Sequence, residues 1–183
     1  MNTMLAVASN SKSLAERCKS IQFLAFDVDG VMTRGDITMD GLDNEWKSFH
    51  VRDGIIIKSL PDLGISTGII TGRTSSVVNR RARDLGIQHV LQGSKCKEEG
   101  LNLLAKTTNL PRESFCYMGD DIPDVNAIRQ SGLGAAPADG CPEARLAADF
   151  VSRSNGGMTA LRELAEWILK VQGKWKTFLQ MHR

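Results

Sequence analysis

The sequence has no apolar run long enough to span a membrane, and its amino terminus lacks the continuous apolar core of a secretory signal. A strong charge of either sign is missing as well. The 183 residues hold 23 Lys and Arg against 21 Asp and Glu, a formal net charge of +2, and only Arg80, Arg81 and Arg83 cluster. That balance gives no basis for a nucleic-acid surface. Cys18, Cys96, Cys116 and Cys141 are far apart and match no metal-ligand spacing, and His50, His89 and His182 are equally dispersed. A zinc site is therefore not expected. Without an export signal, reduced thiols and a cytoplasmic location are the expectation. Internal repeats, low-complexity tracts and interdomain linkers are also lacking. What is present is a globular composition, 42% hydrophobic and 24% charged, in a length that suits one domain with a full core.

Residues 21–26 read as a buried strand leading into Asp27-Val28-Asp29-Gly30. In extended backbone the two carboxylates share a side, and held together they need a cation, a proton or a hydrogen-bond network. Gly30 then allows a sharp turn. Residues 36–39 and 45–51 alternate as two strands around Asp40-Gly41, which predicts a projecting β-hairpin at about 36–51. Trp46 and Phe49 face opposite sides of such a strand, so the hairpin should pack against something, another subunit included. Further on, the pattern predicts a short helix at 54–58 limited by Pro61, and a strand at 65–70 ending in Thr71-Gly72-Arg73. A helix capped by Thr74 or Ser75 should run to about 85, with Gly86 as its stop. Next come a strand at 88–91, a helix at 97–107, and a strand at 115–118 ending in Gly119-Asp120-Asp121-Ile122-Pro123-Asp124. A helix to about 130, a strand at 133–136, a helix from Pro142 and a brief strand at 150–151 follow. The closing helix at 158–171 carries Leu161, Leu164, Ala165, Ile168 and Leu169 at helical spacing, a stripe for core packing.

Strands alternating with helices imply an α/β fold: a Rossmann-like parallel sheet flanked by helices, with right-handed crossovers. The expected organisation is a tail and short helix over 1–20, one domain over 21–172 and a C-terminal tail over 173–183. In an open parallel sheet ligands bind outside the carboxyl ends of the strands, and three strands here end in reactive residues. The inventory is four or five carboxylates, the Thr71 hydroxyl and the Lys97 ammonium. Crowded oxygen ligands suit Mg²⁺, and Thr71, the Gly72 amide and Lys97 suit a phosphoryl group. An Asp near Mg²⁺ is a competent nucleophile that forms an aspartyl-phosphate.

Asp27-x-Asp29-Gly30-Val31, Thr71, Lys97 and Gly119-Asp120-Asp121-x-x-Asp124 resemble, in order, the four motifs of the haloacid dehalogenase-like phosphatase superfamily. That resemblance implies Asp27 as nucleophile and Asp29 as general acid and base. Thr71 and Lys97 would hold the transferring phosphoryl group. Mg²⁺ would be bound by Asp27, Asp29 through its backbone carbonyl, and Asp120, with Asp121 and Asp124 in support. The intervals 29–71 and 71–97 are too short for an inserted cap domain, so the enzyme is expected to be capless.

A narrower resemblance rests on Gly41-x-x-x-Glu45-x-Lys47-x-Phe49-x-Val51-Arg52-Asp53-Gly54, Ile69-Ile70-Thr71-Gly72-Arg73, Leu91-Gln92-Gly93 and Gly156-Gly157-x-x-Ala160-x-Arg162-Glu163. These are similar to the 3-deoxy-D-manno-octulosonate 8-phosphate phosphatases of lipopolysaccharide precursor synthesis. The resemblance implies a homotetramer whose hairpins form a central barrel and whose sites are each completed by a neighbouring chain. His50, Val51, Arg52, Asp53, Gly54, Lys58, Gly72, Arg73 and Arg81 would lie near the sugar acid, together with Asp29 and Lys97. Guanidinium forks such as Arg52 and Arg73 suit a carboxylate or phosphate. Four positions depart from the family pattern. Met158-Thr159 replaces Arg-Gly, Lys58 replaces a frequent arginine, and Ile55 stands where an aromatic is usual. A related activity on acylneuraminate 9-phosphates is the alternative substrate reading, and a non-catalytic scaffold or binding protein is the alternative of another class. Neither a nucleic-acid nor a membrane partner is expected.

Overall fold

A computed structural model describes residues 12–40, 42 and 44–183. Four-residue β1 (Phe23–Phe26) lies at the centre of a six-stranded parallel sheet ordered β5-β4-β1-β6-β7-β8. Its neighbours are β4 (Ser66–Ile70), β5 (His89–Leu91), β6 (Phe115–Met118), β7 (Leu133–Ala136) and β8 (Phe150–Val151). Phe26 pairs with Ile69 on one side and Met118 on the other. The chain therefore builds outward from β1 through β4 to β5, then returns to lay β6 against the opposite edge of β1. That reversal places a crevice at the carboxyl ends of β4, β1 and β6.

Alternation along β1 divides the interior into two layers. Leu24 and Phe26 face a cluster with residues of α1 (Leu14–Lys19), α2 (Val51–Ser59), α3 (Ser76–Leu85) and α7 (Ala160–Val171). Phe23 and Ala25 face the other side, with residues of α4 (Lys97–Thr108), α5 (Val125–Gln130) and α6 (Pro142–Ala147). The apolar stripe of α7 is buried as its spacing implies, since Leu161, Leu164, Ala165, Ile168 and Leu169 are all core residues. Helix α3 begins at a cap from Ser75 to the Val78 amide and stops at left-handed Gly86.

Two segments differ from the sequence pattern. The hairpin is short: β2 (Thr38–Met39) pairs with β3 (Glu45–Trp46), and the strand expected to run to Val51 ends at Trp46. Val51 is instead the first residue of α2, because the His50 ring accepts the Arg52 N–H at 3.2 Å and caps a helix there. Gly41 of the expected turn lies outside the described residues, while Asp40 accepts hydrogen bonds from Leu42 and Asn44. The C-terminal stretch expected as a tail contains α8 (Trp175–Met181). Phe178 is buried, and the Arg162 guanidinium lies 5.3 Å and 5.1 Å from the Trp175 and Phe178 ring centres, so packing and cation–π attraction hold the helix to α7.

Candidate active site

Asp27 follows β1 directly and donates its backbone N–H to the Met118 carbonyl, so it sits at the sheet edge between the ends of β4 and β6. Lys97 arrives from the first turn of α4, where its N-terminal position aims the side chain back over the sheet. The ammonium is 3% exposed, donates to the Ile70 carbonyl at 2.9 Å, and lies 2.5 Å from Asp27 Oδ2 and 3.5 Å from Asp124 Oδ1. Asp124 is buried and accepts from the Tyr117 hydroxyl at 2.6 Å and from the Asp120 and Asp121 amides at 3.1 and 3.2 Å. A buried ammonium is tolerable only because its carboxylate partners are themselves anchored.

Carboxylate oxygens of Asp27, Asp120 and Asp124 lie within 4.8 Å of one another. Burial, opposed by Lys97 and reinforced by Asp124, pushes Asp27 up to about 6. Burial followed by repulsion from Asp124, Asp27 and Asp121 pushes Asp120 up to about 8. Oxygen donors crowded until their charge is unfavourable, with only Lys97 in partial compensation, fit a hard divalent cation such as Mg²⁺. Gly30 makes the arrangement sterically feasible: it turns at φ +84°, and a Cβ there would stand 2.0 Å from Asp120 Oδ2. The Gly156-Gly157 loop buttresses this turn from behind. A Cβ on Gly156 would meet the Gly30 carbonyl at 1.7 Å, and the Gly157 amide donates to Val31.

Asp27, Asp29, Thr71, Gly72, Arg73, Lys97, Asp120, Asp121 and Asp124 all line one cleft of about 470 Å³, joined by Gly35, Ser94, Lys95 and Pro123. The other residues expected near the sugar acid lie elsewhere on the chain. Val51, Arg52 and Lys58 are exposed along α2. Asp53 is buried, and its Oδ1 accepts the Arg162 N–H at 2.8 Å, which caps α7 from a neighbouring helix. Its carboxyl is raised, chiefly by burial. The Arg81 guanidinium packs over the Phe49 ring at 5.4 Å and against Gly54, where a Cβ would stand 2.5 Å from its terminal nitrogen. His50 caps α2.

Two site residues that stand in the narrower sequence motif, Glu45 and Lys47, were assigned no role there. Lys47 reaches from just beyond β3 to pair with Asp29 Oδ1, and Glu45 Oε1 lies 3.4 Å from Lys47 and 2.8 Å from Arg73. Asp29 Oδ2 lies 3.8 Å from Arg73 Nε. The Glu45-x-Lys47 spacing, which puts both side chains on one side of a strand, is the signal that could have located them.

The profile of the haloacid dehalogenase-like hydrolase family matches residues 89–159. The 3-deoxy-D-manno-octulosonate 8-phosphate phosphatase KdsC of Haemophilus influenzae is 38% identical over 165 residues, covering 90% of this chain and 92% of that protein. The chain belongs to this phosphatase family. The Escherichia coli member is 37% identical over 164 residues, 90% of this chain and 87% of that one. The family fold is shared as closely as the sequence. The crystal structure of the Moraxella catarrhalis phosphatase, in complex with magnesium ion, phosphate ion and a KDO molecule, superposes with a TM-score of 0.90 at 37% identity, covering 92% of this chain and 97% of that one. A cobalt-bound Haemophilus influenzae family structure gives 0.86 at 38% identity, covering 88% and 95%. The capless α/β architecture and hairpin described above are thus those of a family phosphatase, and no described helix is long and apolar enough to cross a membrane.

Proposed function

We propose that the protein hydrolyses 3-deoxy-D-manno-octulosonate 8-phosphate to the free sugar acid and inorganic phosphate. The observation that carries this is the buried Lys97–Asp27 pair beside Asp120 and Asp124 at the mouth of the sheet. Asp27, Asp120 and the Asp29 backbone carbonyl would hold Mg²⁺, with Asp121 and Asp124 in support. The bound ion supplies charge neutralisation for the phosphoryl oxygens.

An oxygen of Asp27 attacks phosphorus while the ester P–O bond breaks, and protonated Asp29 gives its proton to the departing alkoxide. Asp29, now ionised, takes a proton from a water molecule. The resulting hydroxide attacks the aspartyl-phosphate, the bond to Asp27 breaks, and phosphate leaves with both carboxyl groups restored. Thr71, the Gly72 amide and Lys97 bind the equatorial oxygens and cost no reorganisation during transfer. Arg73 at the rim is placed to receive the sugar carboxylate.

The protein acts as a homotetramer in this reading. Ile37, Met39 and Trp46 on the hairpin and Val51 and Ile55 on α2 are each exposed, apolar surface that association would cover. A hollow of about 530 Å³ beside it is lined by Arg34, Trp46, Phe49, His50 and Met158. A neighbouring chain there would bring His50, Arg52 and Lys58 to a site they do not reach in their own chain. A cytoplasmic location, where sugar acid phosphates are made, suits the free thiols.

Phosphate release from 3-deoxy-D-manno-octulosonate 8-phosphate and from acylneuraminate 9-phosphates, measured side by side with Mg²⁺, tests the reading. Preference for the octulosonate ester, abolished by Asp27→Asn, is the expected result. Equal turnover by that variant would refute the nucleophile, and a neuraminate preference would refute the substrate. Inactivity on every phosphate ester would point to a scaffold.

A further inference from the structure

We propose that Lys47 is a positioning residue for the reaction: it fixes the Asp29 carboxylate so that one oxygen is held and the other faces the departing alkoxide. The inference rests on the reading of Asp29 as general acid.

Lys47 comes from an otherwise exposed hairpin. Thr38, Met39 and Trp46 are all exposed, yet the Lys47 side chain is only 1% exposed. Burying an ammonium costs several kcal/mol unless anions meet it. Two do. Asp29 Oδ1 accepts from Nζ, and Glu45 Oε1 lies 3.4 Å away. Glu45 also accepts from Arg73 at 2.8 Å, and Arg73 Nε approaches Asp29 Oδ2 at 3.8 Å. Asp29, Lys47, Glu45 and Arg73 thus close a ring of alternating charge, in which each group limits the rotation of the next.

The consequence lies in where Asp29 points. It is separated from Asp27 by one residue, yet it is not part of the Asp27–Asp120–Asp124 cluster. Its Oδ1 is held from the hairpin side by Lys47 instead, while Arg73, from the loop after β4, comes no nearer to Oδ2 than 3.8 Å. A carboxyl this close to a cation site would otherwise turn toward the cation and lose the geometry of an acid. Lys47 occupies Oδ1 and leaves Oδ2, only loosely approached by Arg73, as the oxygen that carries the transferable proton. Arg73, although paired with Glu45, is 42% exposed at the rim and can still meet the substrate carboxylate, whereas Lys47, being buried, cannot. The positioning role therefore falls on Lys47.

A residue that positions an acid matters most when the leaving group needs a proton. The full-length protein with Mg²⁺ is assayed for kcat/KM, which reports through phosphoryl transfer to Asp27, on two esters. One is the octulosonate 8-phosphate, with an alkoxide leaving group. The other is 4-nitrophenyl phosphate, whose phenolate leaves unprotonated. Lys47→Met should lower kcat/KM on the sugar ester by about 10²-fold or more, within the range for general acid catalysis, and on the aryl ester by less than about fivefold. Lys47→Arg should recover most of the difference, and Asp29→Asn should show the same split more deeply. If the Met variant does not fold, Lys47→Gln, shorter and uncharged, carries the comparison. Equal losses on both esters, or none, would overturn the proposal by reducing Lys47 to a prop for the hairpin. An Asp29→Asn variant without a split would overturn the general-acid reading itself. A wild-type protein that cleaves neither ester would overturn the phosphatase reading. The failures are therefore distinguishable.

Discussion

Gly30 and Asp120 cannot both keep their places if Gly30 acquires a side chain, because a Cβ at residue 30 would stand 2.0 Å from Asp120 Oδ2. The backbone there has φ +84°, a further cost of about 1–2 kcal/mol for an L side chain. Gly30→Ala should therefore displace the Asp120 carboxylate, raise the Mg²⁺ concentration needed for half-maximal activity by tenfold or more, and lower the melting temperature. Magnesium titration of the variant checks this. An unchanged half-saturation would show that Asp120 does not hold the ion.

Lys97 is a charge wholly dependent on its surroundings. Its 3% exposure and the 2.5 Å approach to Asp27 mean that Lys97→Met leaves Asp27 and Asp124 repelling each other without a cation between them. Removing one partner of a buried pair costs about 3–5 kcal/mol. Loss of a preorganised donor to the phosphoryl oxygens should lower kcat by about 10²–10³-fold. Urea unfolding in chelator, together with steady-state kinetics, measures the two effects separately. Turnover within a few fold of wild type would refute the phosphoryl-binding role.

The elevated carboxyls predict how pH acts on the metal-free protein. Asp27 at about 6 and Asp120 at about 8 keep protons in the folded chain that the unfolded chain has already lost. Through these two groups the folded state binds more protons between about pH 4 and pH 8, so their contribution to stability falls as pH rises through that window. Melting temperature in chelator should decline from pH 5.5 to pH 8.5, Mg²⁺ should restore it at the upper end, and Asp120→Asn should flatten the decline. Mg²⁺ binding at pH 7 should also release protons, seen as a buffer-dependent heat in calorimetry. A chelated protein that gains stability over that range would contradict the electrostatics of the cluster.

Thr159 holds φ +80°, a left-handed conformation that a β-branched residue adopts only under strain. It occupies the position where the family pattern has glycine, immediately before α7. Thr159→Gly should relieve the strain at a smaller cost in chain entropy, for a net gain of about 0.5–1 kcal/mol. Thermal melts would register a rise of a few degrees. A fall would mean that the Thr159 hydroxyl, 3.3 Å from Ser154, is worth more than the backbone strain.

Much of the fold was legible because its buried strands are short apolar runs bounded by abrupt polar chemistry. The strands at 115–118, 133–136 and 150–151 have the bounds their sequence implies, and Asp27, Thr71, Lys97 and Asp120 gather where parallel strands must end together. The hairpin was less legible. Its second strand stops at Trp46 because the His50 cap favours starting a helix at Val51, a local competition that alternation alone does not reveal.

By itself the sequence determined which groups could meet at the sheet edge, since strand order and the apolar pattern dictate that edge whatever the angles between elements. The tertiary structure alone decided the partners of side chains that leave the sheet. Asp53 serves the amide of Arg162 rather than the cleft, Arg81 lies against Phe49 and Gly54, and Lys47 reaches back across 18 residues to Asp29. The reason is geometric. Periodicity assigns a residue to a face, but the direction in which a hairpin or helix leaves the sheet sets which charge that face finally meets, and a buried charge takes the partner that packing brings within reach.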